Sequence, residues 1–332
     1  METRIFGRSS LRLSILGFGC GAVGGLMVRG SAADQDHAIG LALDAGINYF
    51  DTAVQYGNGA SETNLGRVMS SGKRAGVAIG TKVRIPSANF GAIARTVTES
   101  MDGSLQRLQM DHVDIFHLHN PISLTGGGES LSVQQVRNEV VPAFDALRKA
   151  GKTRFLGITA VGETEALHQI IDAELIDSAQ VSYNMLNASA AEALPPNYPA
   201  QDYGRLFDHT RKAGVGVVGI RVLAAGALTG SVERHPIASA PPEPIGSARS
   251  YAMDLERARR LLPLVNEGFA GSLAEAAIRF AISHPAMGTI LVGMATIKEF
   301  EGSLAAVLKG PLPPAALDRL NVLTVGFSGE QR

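Results

Sequence analysis

Four polar residues lie at or just beyond the ends of strand-like runs. Asp51 and Tyr56 follow the run 47–50, Lys82 follows 77–81, and His119 follows 113–118. When strands run parallel, side chains at their C-terminal ends converge on one mouth, so these residues can share a site. Hydride arriving at a carbonyl carbon leaves negative charge on oxygen, and a positioned proton donor turns that oxygen into an alcohol. Tyr56 has the right chemistry for the donor, but a free phenol with a pKa of about 10 is sluggish at neutral pH. An ammonium such as Lys82 within reach favours the phenolate and lowers that pKa. A buried lysine tends to lose its proton, and Asp51 supplies the carboxylate that keeps it charged and oriented. His119 can donate an N–H to the carbonyl and fix its direction. His117 lies two positions earlier, on the same face of the strand, and reads as packing. Together the four residues predict a nicotinamide-dependent interconversion of carbonyl and alcohol.

The elements that must position them alternate strand and helix along the chain. Eight apolar or alternating runs, 13–18, 47–50, 77–83, 113–119, 154–159, 179–183, 215–220 and 288–292, read as strands. Helix-period segments lie between them at 36–44, 62–69, 91–108, 140–149, 164–173, 204–212 and 273–283, and 296–308 follows the last strand. Ser61, Thr164 and Ser272 read as helix starts, and Gly46, Gly151 and Gly214 as stops. Eight strand–helix repeats predict an α/β fold, a (β/α)8 TIM barrel spanning 1–332 as a single domain. Two short runs flanking Gly7-Arg8-Ser9-Ser10 predict an N-terminal β-hairpin that plugs the bottom of the barrel. Long insertions at 120–137, 184–203 and 231–251 leave from the C-terminal face, where they are expected to shape the substrate pocket.

Composition narrows the partners. Of 332 residues 45% are hydrophobic and 18% charged, and Lys plus Arg (30) nearly balance Asp plus Glu (31), so a nucleic-acid groove is not expected. The start, Met1-Glu2-Thr3-Arg4, lacks an apolar h-region, and the single Cys20 excludes an intramolecular disulfide; together they fit a reducing cytoplasm. The apolar stretch 213–230 contains five glycines and Arg221, and reads as a strand and loop instead of a membrane span. No metal site is indicated, and the oligomeric state is not legible.

Gly19-Cys20-Gly21-Ala22-Val23-Gly24 matches the dinucleotide fingerprint, yet the helical period begins only near Asp34 and Asp51 lies 27 residues past Gly24, so a Rossmann domain is not expected. Three other blocks carry more. The stretch from Phe50 through Gly57 with Ser61-Glu62 and Leu65-Gly66, then Gly80-Thr81-Lys82, then Asp114 through Pro121, resemble in order and spacing the signature blocks of the aldo-keto reductases. The likeness continues through Gly151 to Ile158, Gln180 to Asn184 and Leu223 to Gly230. The region from Leu291 to Pro313 is more similar to the sugar and pyridoxal dehydrogenase branch than to the aldose reductases.

That resemblance implies NAD or NADP as cofactor, with contacts from Cys20, Gly21, Asp51, Thr159, Gln180, Ile220, Arg221, Leu223, Gly226, Leu228, Gly293, Thr296 and Glu299. Gln180 resembles the carboxamide anchor. Ala160 stands where the family often has asparagine, a hydrogen bond worth roughly 0.5–1.5 kcal/mol, with Asn184 as the candidate to compensate. Ile220 or Arg221 occupies the place of the nicotinamide-stacking aromatic. Pyrophosphate is expected along Leu223–Leu228, where small residues let backbone N–H groups approach phosphate. Glu299, with Lys298 beside it, stands where an arginine commonly reads the 2′-phosphate, which favours NAD(H); a one-residue shift would put Lys298 there instead. The expected substrate is a small carbonyl or alcohol compound. Two alternatives stay open: a nucleotide-sensing binding module on the same fold, which would show little turnover, and a Schiff-base aldolase using Lys82, which Asp51 beside it argues against.

Overall fold

Short runs rich in β-branched and small apolar residues form the strands of this chain. The computed structural model describes residues 1–70, 72 and 74–327. A hairpin of β1 (Thr3–Ile5) and β2 (Arg12–Ser14) precedes β3 (Leu16–Gly19), β4 (Tyr49–Asp51), β5 (Ala78–Val83) and β6 (Val113–Leu118). A two-residue pair, β7 (Ile122–Ser123) and β8 (Leu131–Ser132), sits in the following loop. Then come β9 (Thr153–Thr159), β10 (Ser178–Ser182), β11 (Gly216–Ile220) and β12 (Met287–Gly293). The eight larger parallel strands close into one barrel in chain order, with β12 pairing back onto β3. This is the (β/α)8 barrel that the alternation predicts. Its strands are buried almost throughout, as expected when helices cover the outside and side chains fill the inside.

The hairpin does plug the bottom. Phe6 and Leu13 pack with Tyr49, Ala78, Ile115 and Val218 inside the ring. Arg8 donates to the carbonyl oxygens of Ala213, Glu174 and Ile176, and Arg4 to those of Ile282 and Met287. The single strand expected over 13–18 is instead two. Ser14 still pairs with Thr3 in the hairpin, its hydroxyl donates to the Leu16 carbonyl at 2.7 Å, and the barrel strand starts only at Leu16.

The helix at Leu273–Ser283 has the expected bounds, with Ser272 capping it, and Thr296 caps the helix Ile297–Leu308. Two expected starts move. Gly59, in the left-handed region at φ 88°, precedes the helix Ala60–Met69, so Ser61 falls in its first turn. Its hydroxyl instead donates to the Cys20 carbonyl at 2.9 Å. Glu163, not Thr164, precedes the helix Thr164–Asp172. Helices at Tyr251–Arg259 and Pro314–Val325 were not expected from the pattern. Among the described residues no helix is long and apolar enough to cross a membrane, and the stretch 213–230 is a helix end, β11 and a 3-10 turn.

Candidate active site

Asp51 ends β4 and Lys82 lies near the end of the neighbouring β5, both facing the barrel interior, with Asp51 3% and Lys82 0% exposed. The Lys82 ammonium donates to Asp51 Oδ1 and to the Thr52 carbonyl, the latter at 2.7 Å. Asp51 Oδ2 accepts from Gln180 Nε2 at 2.7 Å and from the Tyr49 hydroxyl at 3.0 Å. Tyr49 precedes Asp51 by two positions and so shares its face of the strand. Room for its hydroxyl comes from Gly80, where a Cβ would lie 2.5 Å from that oxygen. Burial alone would push the Lys82 ammonium toward neutrality, but the Asp51 charge and Tyr56 more than offset it, so its pKa is raised.

Tyr56 sits above this pair, with the Lys82 Nζ 4.8 Å from its ring centre. The expected pull of Lys82 on its pKa is present but outweighed. Burial raises the phenol most, Lys82 pulls it down, Asp51 pushes it up again, and the balance is upward. The phenol therefore carries its proton at neutral pH. The His119 ring meets the Tyr56 ring edge-on at 6.1 Å, and its Nδ1 lies 3.4 Å from Gln55 Oε1. Burial, Lys82 and Arg84 lower the His119 pKa to about 3, so the imidazole is neutral. His117 is fully buried, with Nε2 2.9 Å from the Ser178 hydroxyl, and is packing as expected.

Asp51, Tyr56 and His119 open into a cavity of about 1300 Å³. It is larger than the roughly 300–1,000 Å³ of a typical ligand pocket, and so has room for a dinucleotide with a substrate beside it. It runs outward between the helices Leu273–Ser283 and Ile297–Leu308. The model of the Aldo/keto reductase family matches residues 15–323. The chain belongs to the aldo-keto reductase family. Among its relatives, L-galactose dehydrogenase of Arabidopsis thaliana is 28% identical over 92% of this chain and 88% of its own length. Pyridoxal 4-dehydrogenase of Microbacterium luteolum is 27% identical over 88% of this chain and 89% of its own. An aldo-keto reductase from Bacillus halodurans, solved in its holo form, has the same fold with a TM-score of 0.71, at 24% identity over 97% of this chain and 96% of its own. Family membership supports an oxidoreductase that works with a nicotinamide cofactor and a small-molecule substrate.

Of the nucleotide contacts that this aldo-keto reductase's sequence implied, Gly21, Asp51, Thr159, Gln180, Ile220, Arg221, Leu223, Gly226, Gly293 and Glu299 line the cavity. Cys20, Leu228 and Thr296 lie off its wall. Cys20 and Leu228 are buried, the thiol directed at the Phe18 carbonyl, and the Thr296 hydroxyl accepts from the Glu299 N–H. Gln180 faces the cavity while its amide nitrogen is held by Asp51. Asn184, the candidate to compensate for Ala160, has its side chain engaged within the protein. Its amide donates to the Arg221 carbonyl, its oxygen accepts from the Leu186 N–H, and neither Asn184 nor Ala160 lines the cavity. Glu299, not Lys298, faces the cavity, and its carboxylate accepts from the Ala295 N–H at 2.6 Å.

The insertions differ in what they do. Pro121 from the first and a series from Ser231 to Ile245 in the third line the cavity, while nothing in 184–203 does. The second insertion acts as a brace: Asn187 donates to the Gly246 carbonyl and the Gln201 N–H to the same oxygen. Sequence reading missed Tyr49, Arg84 and Arg234. Arg234 lies on the cavity wall, donates to the Ala225 carbonyl at 2.8 Å, and sits where a Cβ on Gly226 would be 2.9 Å from its Nη1. In the sequence, the period-2 spacings of Tyr49 from Asp51 and of Arg84 from Lys82 were the signals, and Arg234 gave none.

Proposed function

We propose that this aldo-keto reductase interconverts an aldehyde, ketone or sugar carbonyl with its alcohol, with Tyr56 as general acid and base. The observation that carries this reading is the chain of contacts from Gln180 and Tyr49 through Asp51 and Lys82 to Tyr56, set at the base of a cavity large enough for a dinucleotide. Bound at this site, the nicotinamide supplies the hydride. Tyr56 gives its proton to the carbonyl oxygen as charge develops there, and Lys82 stabilises the phenolate left behind. Asp51, held by three donors, keeps that ammonium charged and pointed. A neutral His119 has a single N–H; for Nε2 to carry it, Nδ1 must accept, which requires the Gln55 amide, whose Oε1 lies 3.4 Å from Nδ1, to turn its NH2 toward that nitrogen. His119 then orients the carbonyl. Lys82 is sealed beneath Asp51 and charged, which removes it as an amine nucleophile and disfavours the aldolase.

The test is loss of nicotinamide absorbance with a panel of aldehydes, ketones and sugars. Steady turnover is expected with at least one class, whereas tight nucleotide binding without turnover on any of them would make the chain a nucleotide sensor.

For the cofactor, Leu223, Gly226 and Arg234 would hold the pyrophosphate, and the outer part of the cavity would take the adenosine. Glu275, Glu299 and Lys309 line that part, and Lys309 is paired with Glu275 at 2.7 Å. A carboxylate at Glu299 accepts from a free 2′-hydroxyl but repels a phosphate there, so NAD(H) is the proposed cofactor. Dissociation constants should favour NADH in the wild type, and Glu299→Arg should tighten NADPH about tenfold, roughly 1.4 kcal/mol. Tighter NADPH binding in the wild type, unmoved by the substitution, would assign phosphate reading to another cation on the wall.

A further inference from the structure

We infer that Arg84 forms an oxyanion subsite at the substrate end of the cavity, so that the favoured substrates are carbonyl compounds carrying a carboxylate or a phosphate away from the reacting group. The inference rests on the carbonyl-reductase reading above. Side chains alternate along β5: Lys82 faces the barrel interior, Val83 is buried in the helical layer, and Arg84, next past the strand end, turns back to the mouth. The His119 N–H donates to the Val83 carbonyl at 2.7 Å, which sets the end of β6 beside Arg84. The guanidinium charge is felt at the His119 ring, the group that orients the carbonyl.

Arg84 is poorly neutralised. Among the described residues its one ion pair is with Glu129 at 3.9 Å, between side chains 42% and 52% exposed, and it donates no hydrogen bond. Exposed pairs at that distance are worth little. The cavity carboxylate on the adjoining strand, Asp51, is already taken by Lys82, Gln180 and Tyr49. Arg221 stands past the end of β11, diametrically across the ring from β5. Among the described residues its guanidinium hydrogen-bonds to the Glu243 carbonyl alone, at 3.3 Å, with Asp254 acting on it as a nearby charge. Pro121, Val161 and Ile245 complete this end with apolar surface. A neutral sugar gains little from an uncompensated guanidinium, whereas the planar fork of arginine matches a carboxylate or phosphate with two parallel hydrogen bonds.

The test compares 4-formylbenzoate, 4-formylphenyl phosphate and the methyl ester of 4-formylbenzoate as substrates of the full chain with saturating nicotinamide cofactor. In the wild type kcat/KM for an anion should exceed that for the ester by about tenfold or more. Arg84→Ala should bring the ratio close to one, and Arg84→Lys should keep part of it, as a point charge without the fork. Whichever anion shows the larger ratio identifies the source as carboxylate or phosphate. Equal kcat/KM for anions and ester in the wild type, or a ratio that Arg84→Ala leaves in place, would overturn the subsite while the reductase reading stood. If no aldehyde is turned over, the reductase reading has failed by itself, and the subsite is decided by calorimetry with terephthalate. Binding lost in Arg84→Ala would support it; binding equal in both, or absent from the wild type, would overturn it.

Discussion

Replacing Tyr56 with phenylalanine should lower turnover by a factor of about 10²–10⁴, the range for a lost general acid, with nucleotide affinity nearly unchanged. The ring that fills the space over Lys82 remains; only the proton donor goes. The pH profile adds a second signature. Burial holds the Tyr56 pKa above its usual value, so the phenol stays protonated through neutral pH. Carbonyl reduction, which needs the acid, should be flat there and fall only as pH rises past the raised pKa. Alcohol oxidation needs the phenolate and should climb over that same alkaline window. Both limbs should vanish in the phenylalanine variant. His119, with its pKa near 3, contributes no limb at neutral pH. Near-normal turnover in Tyr56→Phe, measured in either direction, would remove Tyr56 from the mechanism.

The barrel and the four residues at its mouth were legible in the sequence because both follow from local regularities. Apolar periods of two and about 3.6 mark strands and helices, and parallel strands oblige residues at their C-terminal ends to meet. What was not legible depends on where side chains point or on contacts between distant loops. Tyr49 reads as one more strand aromatic; its hydroxyl reaches Asp51 only because Gly80, on the next strand, leaves space. Cys20 follows a strand-end glycine, as a nucleotide contact would, yet its thiol turns inward. Arg234 belongs to an insertion with no period of its own, and it reaches the cavity through the Ala225 and Ser239 carbonyls. The insertion 184–203 leaves from the functional face but is drawn onto its neighbour by Asn187 and Gln201, a pairing no local pattern encodes. The Tyr56 pKa was misjudged for a related reason. A charge partner can be guessed from spacing, whereas the burial that outweighs it belongs to the finished fold.

Asp51→Asn should damage both stability and catalysis, and a second substitution should separate the two. The carboxylate accepts from Lys82, Gln180 and Tyr49 at once, and an asparagine can accept on one oxygen only, so its NH2 must face at least one donor. The larger loss is charge: a fully buried ammonium would be left without its counter-ion, a change that typically costs about 3–5 kcal/mol. Denaturant unfolding should register a loss of that order. Lys82 would shed its proton to escape the penalty and could no longer stabilise the Tyr56 phenolate, so turnover should collapse as well. Adding Lys82→Met removes the stranded charge and places an apolar chain of similar length in the same space. If the pair works as described, the double variant should recover much of the stability, because the two sites are coupled, yet none of the activity. Recovery of turnover along with stability would show that Lys82 and Asp51 hold the barrel together and take no part in the proton transfer. A single Asp51→Asn variant as stable as the wild type would show that the buried lysine is neutral to begin with, contrary to the upward pull of Asp51 and Tyr56 on its pKa.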